Sequence, residues 1–169
     1  MSTNETPIRK LLEFFSAKNL DELSPNAVGP KAEKMKITHR DEADIEIFQE
    51  GAALFGRHVK TSAFNFEGCG LHIGVFEFAP GLLTPLHSHP DDCVYYVERG
   101  SLLMGNREVR AGEGVLTRKN QPYGFVVGPS GARIIEFTTA PRHSVKVHER
   151  NMAGWKARLD SAVAKLDSH

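Results

Sequence analysis

Two histidines one residue apart, His87 and His89, are the strongest chemical signal in this sequence. Side chains on an extended strand alternate faces, so both imidazoles point to one side and Ser88 to the other. Neutral imidazole is a common metal ligand, and two on one strand face suit a single ion. Pro80-Gly81 before the pair and Pro90-Asp91-Asp92 after it are turn signals, so the run reads as a short strand entering a hairpin. The next strand opens at Cys93, which shares a face with Tyr95 and Val97 and brings a thiol near the imidazoles. Asp92 is a carboxylate within reach, and two histidines with one carboxylate make a facial set that leaves open positions on Fe(II). An aspartate after proline also serves a turn. Tyr123 brings a phenol of ordinary pKa about 10, which ligates only where a metal lowers that value and otherwise acts on a proton.

Gly81, His87, His89 and Gly100 resemble the first motif of the cupin superfamily, which runs glycine, five residues, HxH, three or four residues, glutamate, six residues, glycine. Cys93 stands where the glutamate is usual. The run from Gly112 to Tyr123 resembles the second motif, with Arg118 and Asn120 in place of proline and glycine and Tyr123 in place of a ligand histidine. The resemblance extends from about Gly74 to Pro141 and implies an all-β protein, a jelly-roll-like cupin β-barrel. It further implies one divalent metal ion, with Fe, Mn, Ni and Zn undistinguished, held by His87 and His89 and completed by Cys93 or Asp92. Thiol dioxygenases also carry cysteine six residues before the motif glycine, and in some of them that cysteine is bonded to a tyrosine. Carried over, this implies a metal-dependent, dioxygenase-like oxidoreductase acting on a small organic substrate, with Cys93 and Tyr123 as catalytic groups that approach each other. Two other readings stay open: a binding or sensing cupin without turnover, and a metal-independent isomerase in which His87 or His89 is the base.

The elements that must position these residues read as follows. Thr6-Pro7 precedes Ile8, Leu11, Leu12 and Phe15, an apolar stripe at helical spacing, and a polar connector with Pro25, Gly29 and Pro30 follows. Ile45, Ile47 and Phe48, then Ala53 to Val59, Ala63 to Phe66 and Leu71 to Phe78 read as short strands separated by glycines. Gly105-Asn106 is a two-residue hairpin turn, and Gly128 to Gly131 reads as the last tight turn. Met152, Trp155, Leu159, Ala162, Val163 and Leu166 form a helical stripe capped by Asn151. The expected organisation is an N-terminal arm over 1–36, a barrel over 37–141 and a helical tail over 142–169, so that helices flank the barrel at both ends. His58 and His72 lie on earlier strands, where either is a candidate third imidazole.

Composition sets the outer limits. Lys plus Arg equals Asp plus Glu at 21 each, and no basic run marks a nucleic-acid or membrane-surface binder. No apolar stretch approaches the roughly 20 residues that span a bilayer, and the first residues lack a signal-peptide core, so a cytoplasmic protein is the expectation. Two cysteines, Cys69 and Cys93, make neither a zinc framework nor a disulfide scaffold. The partners expected are a small-molecule substrate and a second copy of the chain, as a homodimer.

Overall fold

Asp41 accepts a hydrogen bond from the backbone N–H of Ala43 and opens a helix where the glycine-punctuated pattern predicts strands. The computed structural model describes residues 16, 21–22, 36–39, 41–66, 70–139 and 144–168. Within them the order is β1 (Asp21–Glu22), β2 (Lys36–Thr38), α1 (Glu42–Gly56), β3 (Val59–Phe66), β4 (Leu71–Phe78), β5 (His87–Ser88), β6 (Cys93–Met104), β7 (Arg107–Arg110), β8 (Gly114–Thr117), β9 (Val126–Thr138), β10 (Ser144–Val147) and α2 (Met152–Asp167). The predicted N-terminal helix, Cys69 and His143 lie outside the described residues.

Two sheets carry the fold. The larger has the order β1-β3-β4-β9-β6-β7, with β8 also on β6, and the smaller has β2-β10-β5. Among the described residues, hydrogen bonds do not close these sheets into one barrel. The inward faces of β6 and β9 meet in register at Cys93 and Thr138, Tyr95 and Glu136, and Val97 and Ile134, and all six side chains are buried. The helical tail forms as its stripe predicts, capped by the Asn151 side-chain Oδ1, which accepts from the Gly154 N–H, and burying Met152, Trp155, Leu159 and Val163. β10 lies in what the sequence reading assigned to the tail, and it is the central strand of the smaller sheet. No helix among the described residues is long and apolar enough to cross a membrane.

Two expectations are corrected. The segment from Glu42 to Gly56 is a helix because Phe48, Gly51, Ala52 and Phe55 recur at helical spacing and acidic Glu42 and Asp44 occupy the first turn. Gly128 to Gly131 is no turn: β9 runs unbroken through it, and Gly131 bends the strand at φ +74° opposite register shifts in β6.

The helices pack on each other through one contact that glycine alone permits. The Phe48 and Trp155 rings stack at 6.2 Å, and a Cβ on Gly51 would lie 2.2 Å from the Trp155 ring. Helix propensity alone makes Gly51→Ala stabilising by about 1 kcal/mol. The clash reverses the sign, and urea unfolding is expected to show a net loss of about 1–3 kcal/mol. A stabilised variant would mean that the helices do not meet in this way.

Candidate functional site

β5 is only two residues long, yet it is held along both edges. His87 exchanges both backbone bonds with Tyr123, N–H to Tyr123 O at 2.9 Å and O from Tyr123 N–H at 2.8 Å. On the other edge, Ser88 and His87 stand opposite Lys146 and Val147 of β10. Leu86 O accepts from the N–H groups of His148 and Glu149, and His89 O accepts from Asn120 N–H at 2.7 Å. His87 and His89 therefore share the inward face with Tyr123 and Val145, as strand alternation requires.

The imidazoles are fixed in tautomer as well as place. His87 Nδ1 lies 2.8 Å from Pro85 O, and His89 Nδ1 lies 2.8 Å from Ser144 O. A carbonyl only accepts, so each Nδ1 carries the proton, and in the neutral ring Nε2 carries the lone pair. A second-shell bond of this kind orients a metal-ligating histidine. The rings sit edge to face, 5.1 Å between centroids.

Both rings line a cavity of about 170 Å³ whose other walls include Phe48, Ala52 and Phe55 of α1, Trp155 of α2 and Val145 of β10. Trp155 is anchored there by its Nε1–H, which donates to Leu83 O at 3.3 Å. The walls are mostly apolar, so the cavity suits a small molecule with an apolar body and its polar end toward the histidines.

Tyr123 is not a wall of this cavity. Its ring lies 4.5 Å from the His87 ring, and its hydroxyl is 2.9 Å from that of Tyr95. The two phenols form a short hydroxyl chain beside His87, able to hold and pass a proton. Cys93 is a buried thiol in register with Thr117 on β8 and Thr138 on β9. Among the described residues no three of His, Cys, Asp and Glu come close enough together to hold a metal ion. Cys93, Asp92, His58 and His72 thus do not form such a group with His87 and His89. His58 Nε2 faces the Asp167 carboxylate at 3.4 Å instead.

Asp92 has a different task. Its carboxylate accepts from Lys119 N–H at 2.7 Å and from the Arg118 guanidinium at 2.9 Å, and these bonds, the backbone one first, hold its pKa below the ordinary value. The clamp fixes the loop whose next residue, Asn120, bonds His89 O. Asn120 takes φ +61°, the left-handed conformation that glycine usually supplies and that asparagine tolerates best among other residues.

Two inward groups were not singled out as chemical by the sequence reading. Tyr95 entered only as a strand residue sharing a face with Cys93, and Glu136 lies buried opposite it on β9. Alternation along Ile134, Glu136 and Thr138 carried the signal for Glu136, once Ile134 is placed inside. Nothing local announces the meeting of Tyr95 with Tyr123 across 28 residues.

No family model matches the sequence, and no curated protein does. Solved structures show likenesses. An RmlC-like cupin from Shewanella frigidimarina aligns over 48% of this chain and 75% of its own, with 21% identity and a TM-score of 0.44. The polyketide cyclase RemF from Streptomyces resistomycificus aligns over 63% and 84%, with 22% identity and a TM-score of 0.49. The DMSP lyase DddQ from Ruegeria pomeroyi aligns over 50% of this chain and 48% of its own, with 19% identity and a TM-score of 0.45, so this chain spans about half of that lyase. The fold is cupin-like. That statement rests on the strand ladder and on Gly81, His87, His89 and Gly100 standing in it as the cupin spacing implies; the likenesses concern the fold and carry nothing about the reaction.

On the outward side of β5, Ser88 Oγ lies 2.8 Å from His148 Nε2. Burial first, then Lys146 and His39, lowers the His148 pKa below its ordinary value. Protonation is therefore penalised in the folded state. Its contribution to stability is full above the unfolded pKa of about 6.5 and is lost as pH falls through that value toward the lower folded one. Urea unfolding at pH 7.5 and pH 5 is expected to show a smaller pH difference in His148→Asn than in the parent. An equal difference would remove His148 from the linkage.

Proposed function

We propose that this protein is a metal-dependent cupin enzyme, holding one divalent cation on the Nε2 atoms of His87 and His89 and acting on a small organic molecule in the adjoining cavity. Within that class the reading is a dioxygenase-like oxidoreductase. The observation that supports it is the pair of Nδ1–H bonds to Pro85 O and Ser144 O, which turns two neighbouring imidazoles into oriented donors. The donor set fits a cation held by two imidazoles with its remaining positions left to solvent and substrate. Bound there, the metal supplies Lewis acidity and, if it is iron, redox chemistry toward dioxygen.

The chain's own residues do the rest. Phe48, Phe55 and Trp155 exclude water from the cavity and take the apolar part of the substrate. Tyr123, hydrogen-bonded to Tyr95 beside His87, holds a proton near the reacting end. A second reading has one specific observation behind it: two imidazoles alone bind a cation weakly, which suits a binding or sensing protein without turnover.

Elemental analysis of untagged protein is expected to find about one metal ion per chain, and His87→Ala is expected to lose it. Added Co(II) should quench the fluorescence of Trp155, the chain's one tryptophan and a wall of the same cavity, in the parent but not in the variant. Absence of metal from both proteins, with unchanged fluorescence, would contradict the proposal. With metal present, oxygen uptake against thiols, catechols and β-diketones separates the enzyme from the sensor: uptake with one of these classes supports turnover, and none with any of them favours binding alone.

A further inference from the structure

The outer face of the larger sheet is apolar where a solvated sheet face is polar. Eight large apolar side chains are exposed among the described residues, and five of them, Leu71, Val94, Tyr96, Leu116 and Phe137, lie on this face at 36% to 48% exposure. Strand register sets them side by side. Leu116 of β8, Val94 of β6 and Phe137 of β9 form one row across three strands, and Ile73 of β4 continues it. Tyr96 pairs with Ile135 in the next row, and Leu71 lies two residues from Ile73 on the same face of β4.

Paired charges border the patch on two sides. Beyond Tyr96 and Ile135 the next row runs Lys60, Glu77, Arg133 and Glu98, alternating in sign, with Arg133 bonded to both carboxylates. Beyond Val94 and Leu116, Asp92 and Arg118 pair at 2.9 Å. The whole chain balances its charges at 21 of each sign, so two copies approach without net repulsion. Charges already paired at a border are not stranded when the patch between them is covered.

Area decides what such a patch can do. At these exposures the five side chains offer on the order of 400 Å² of apolar surface, the size at which a patch on a monomer is often functional. A standard interface buries about 800 Å² on each partner, and somewhat more than half of that is apolar. The patch therefore supplies the apolar share of one ordinary interface, with its charged borders as the rim.

We propose that this face is the interface of a homodimer, the β8-β6-β9 face of one copy packed on the same face of a second about a two-fold axis. A second copy brings an apolar patch of equal size and a border of equally balanced charge, which is what an isologous contact requires. None of the five exposed residues lines the histidine cavity, so each copy keeps its own complete site.

Sedimentation velocity of the full-length protein over roughly 1–100 µM tests this, with a dimer expected across most of that range. Val94→Glu and Leu116→Glu, which each place a charge in the contact, are expected to weaken the dimer about a hundredfold. Tyr96→Ser removes a ring without adding charge and is expected to weaken it about tenfold. Should a glutamate variant lose the parent's circular dichroism spectrum, Tyr96→Ser alone decides. Leu103→Glu alters a leucine exposed to 44% near the far end of β6, beyond two register shifts, and is expected to leave the dimer unchanged. The dimer is expected to persist in about 1 M NaCl, where ion pairs between exposed groups are screened. Monomers at every concentration, with the face bare or covered by the chain's own N-terminal residues, would overturn the proposal. So would a dimer that Tyr96→Ser leaves intact, one that Leu103→Glu dissociates as readily, or one that salt dissociates.

Discussion

A strand of two residues cannot hold itself, and the site depends on hydrogen bonds along both edges of β5. Tyr123 closes one edge by exchanging both backbone bonds with His87, and β10 closes the other at Ser88, with His148 and Glu149 just beyond it bonding Leu86 O. The same neighbours set the rings. Ser144, the first residue of β10, supplies the carbonyl that holds His89 Nδ1, and Tyr123 lays its ring beside His87. Strand pairing and imidazole orientation are therefore one constraint. Loss of β10 would free the backbone of β5 and the ring of His89 together.

The helices give that constraint its chemical setting. α1 and α2 stand between the histidines and open solvent. Phe48, Phe55 and Trp155 replace that water with apolar wall, and Gly51 lets the Trp155 ring approach closely enough to do so. The Asp92 clamp holds the loop that carries Asn120 to His89 O. Both Asp92 oxygens are engaged across the loop, one by the Lys119 N–H and one by the Arg118 guanidinium.

How far the sequence announced all this follows from the range of each signal. His87 and His89 were legible because period-two alternation and flanking turns act within a few residues. The Gly105-Asn106 hairpin and the α2 stripe were legible for the same reason. The helix at Glu42 was missed because Gly51 and Gly56 were taken as strand punctuation. Their actual function, clearance for Trp155 in the case of Gly51, is a tertiary contact more than a hundred residues away. The partners of Asp92 and Tyr95 were not legible on similar grounds: Arg118, Lys119 and Tyr123 meet them only once β6, β8 and the intervening loop have folded. Residue type gave the available chemistry, and long-range pairing decided which of it is used.

The central claim is that two backbone carbonyls hold His87 and His89 as Nδ1–H tautomers, so that a cation held by the pair would meet both rings at Nε2. Long-range proton–nitrogen NMR of the histidine rings reads this directly, with Zn(II) added to the metal-free protein. The account predicts Nδ1–H tautomers for both residues before metal and a joint shift of the two Nε2 resonances on addition of Zn(II). Nε2–H tautomers in the metal-free protein, or Nε2 resonances that Zn(II) leaves unmoved, would contradict it.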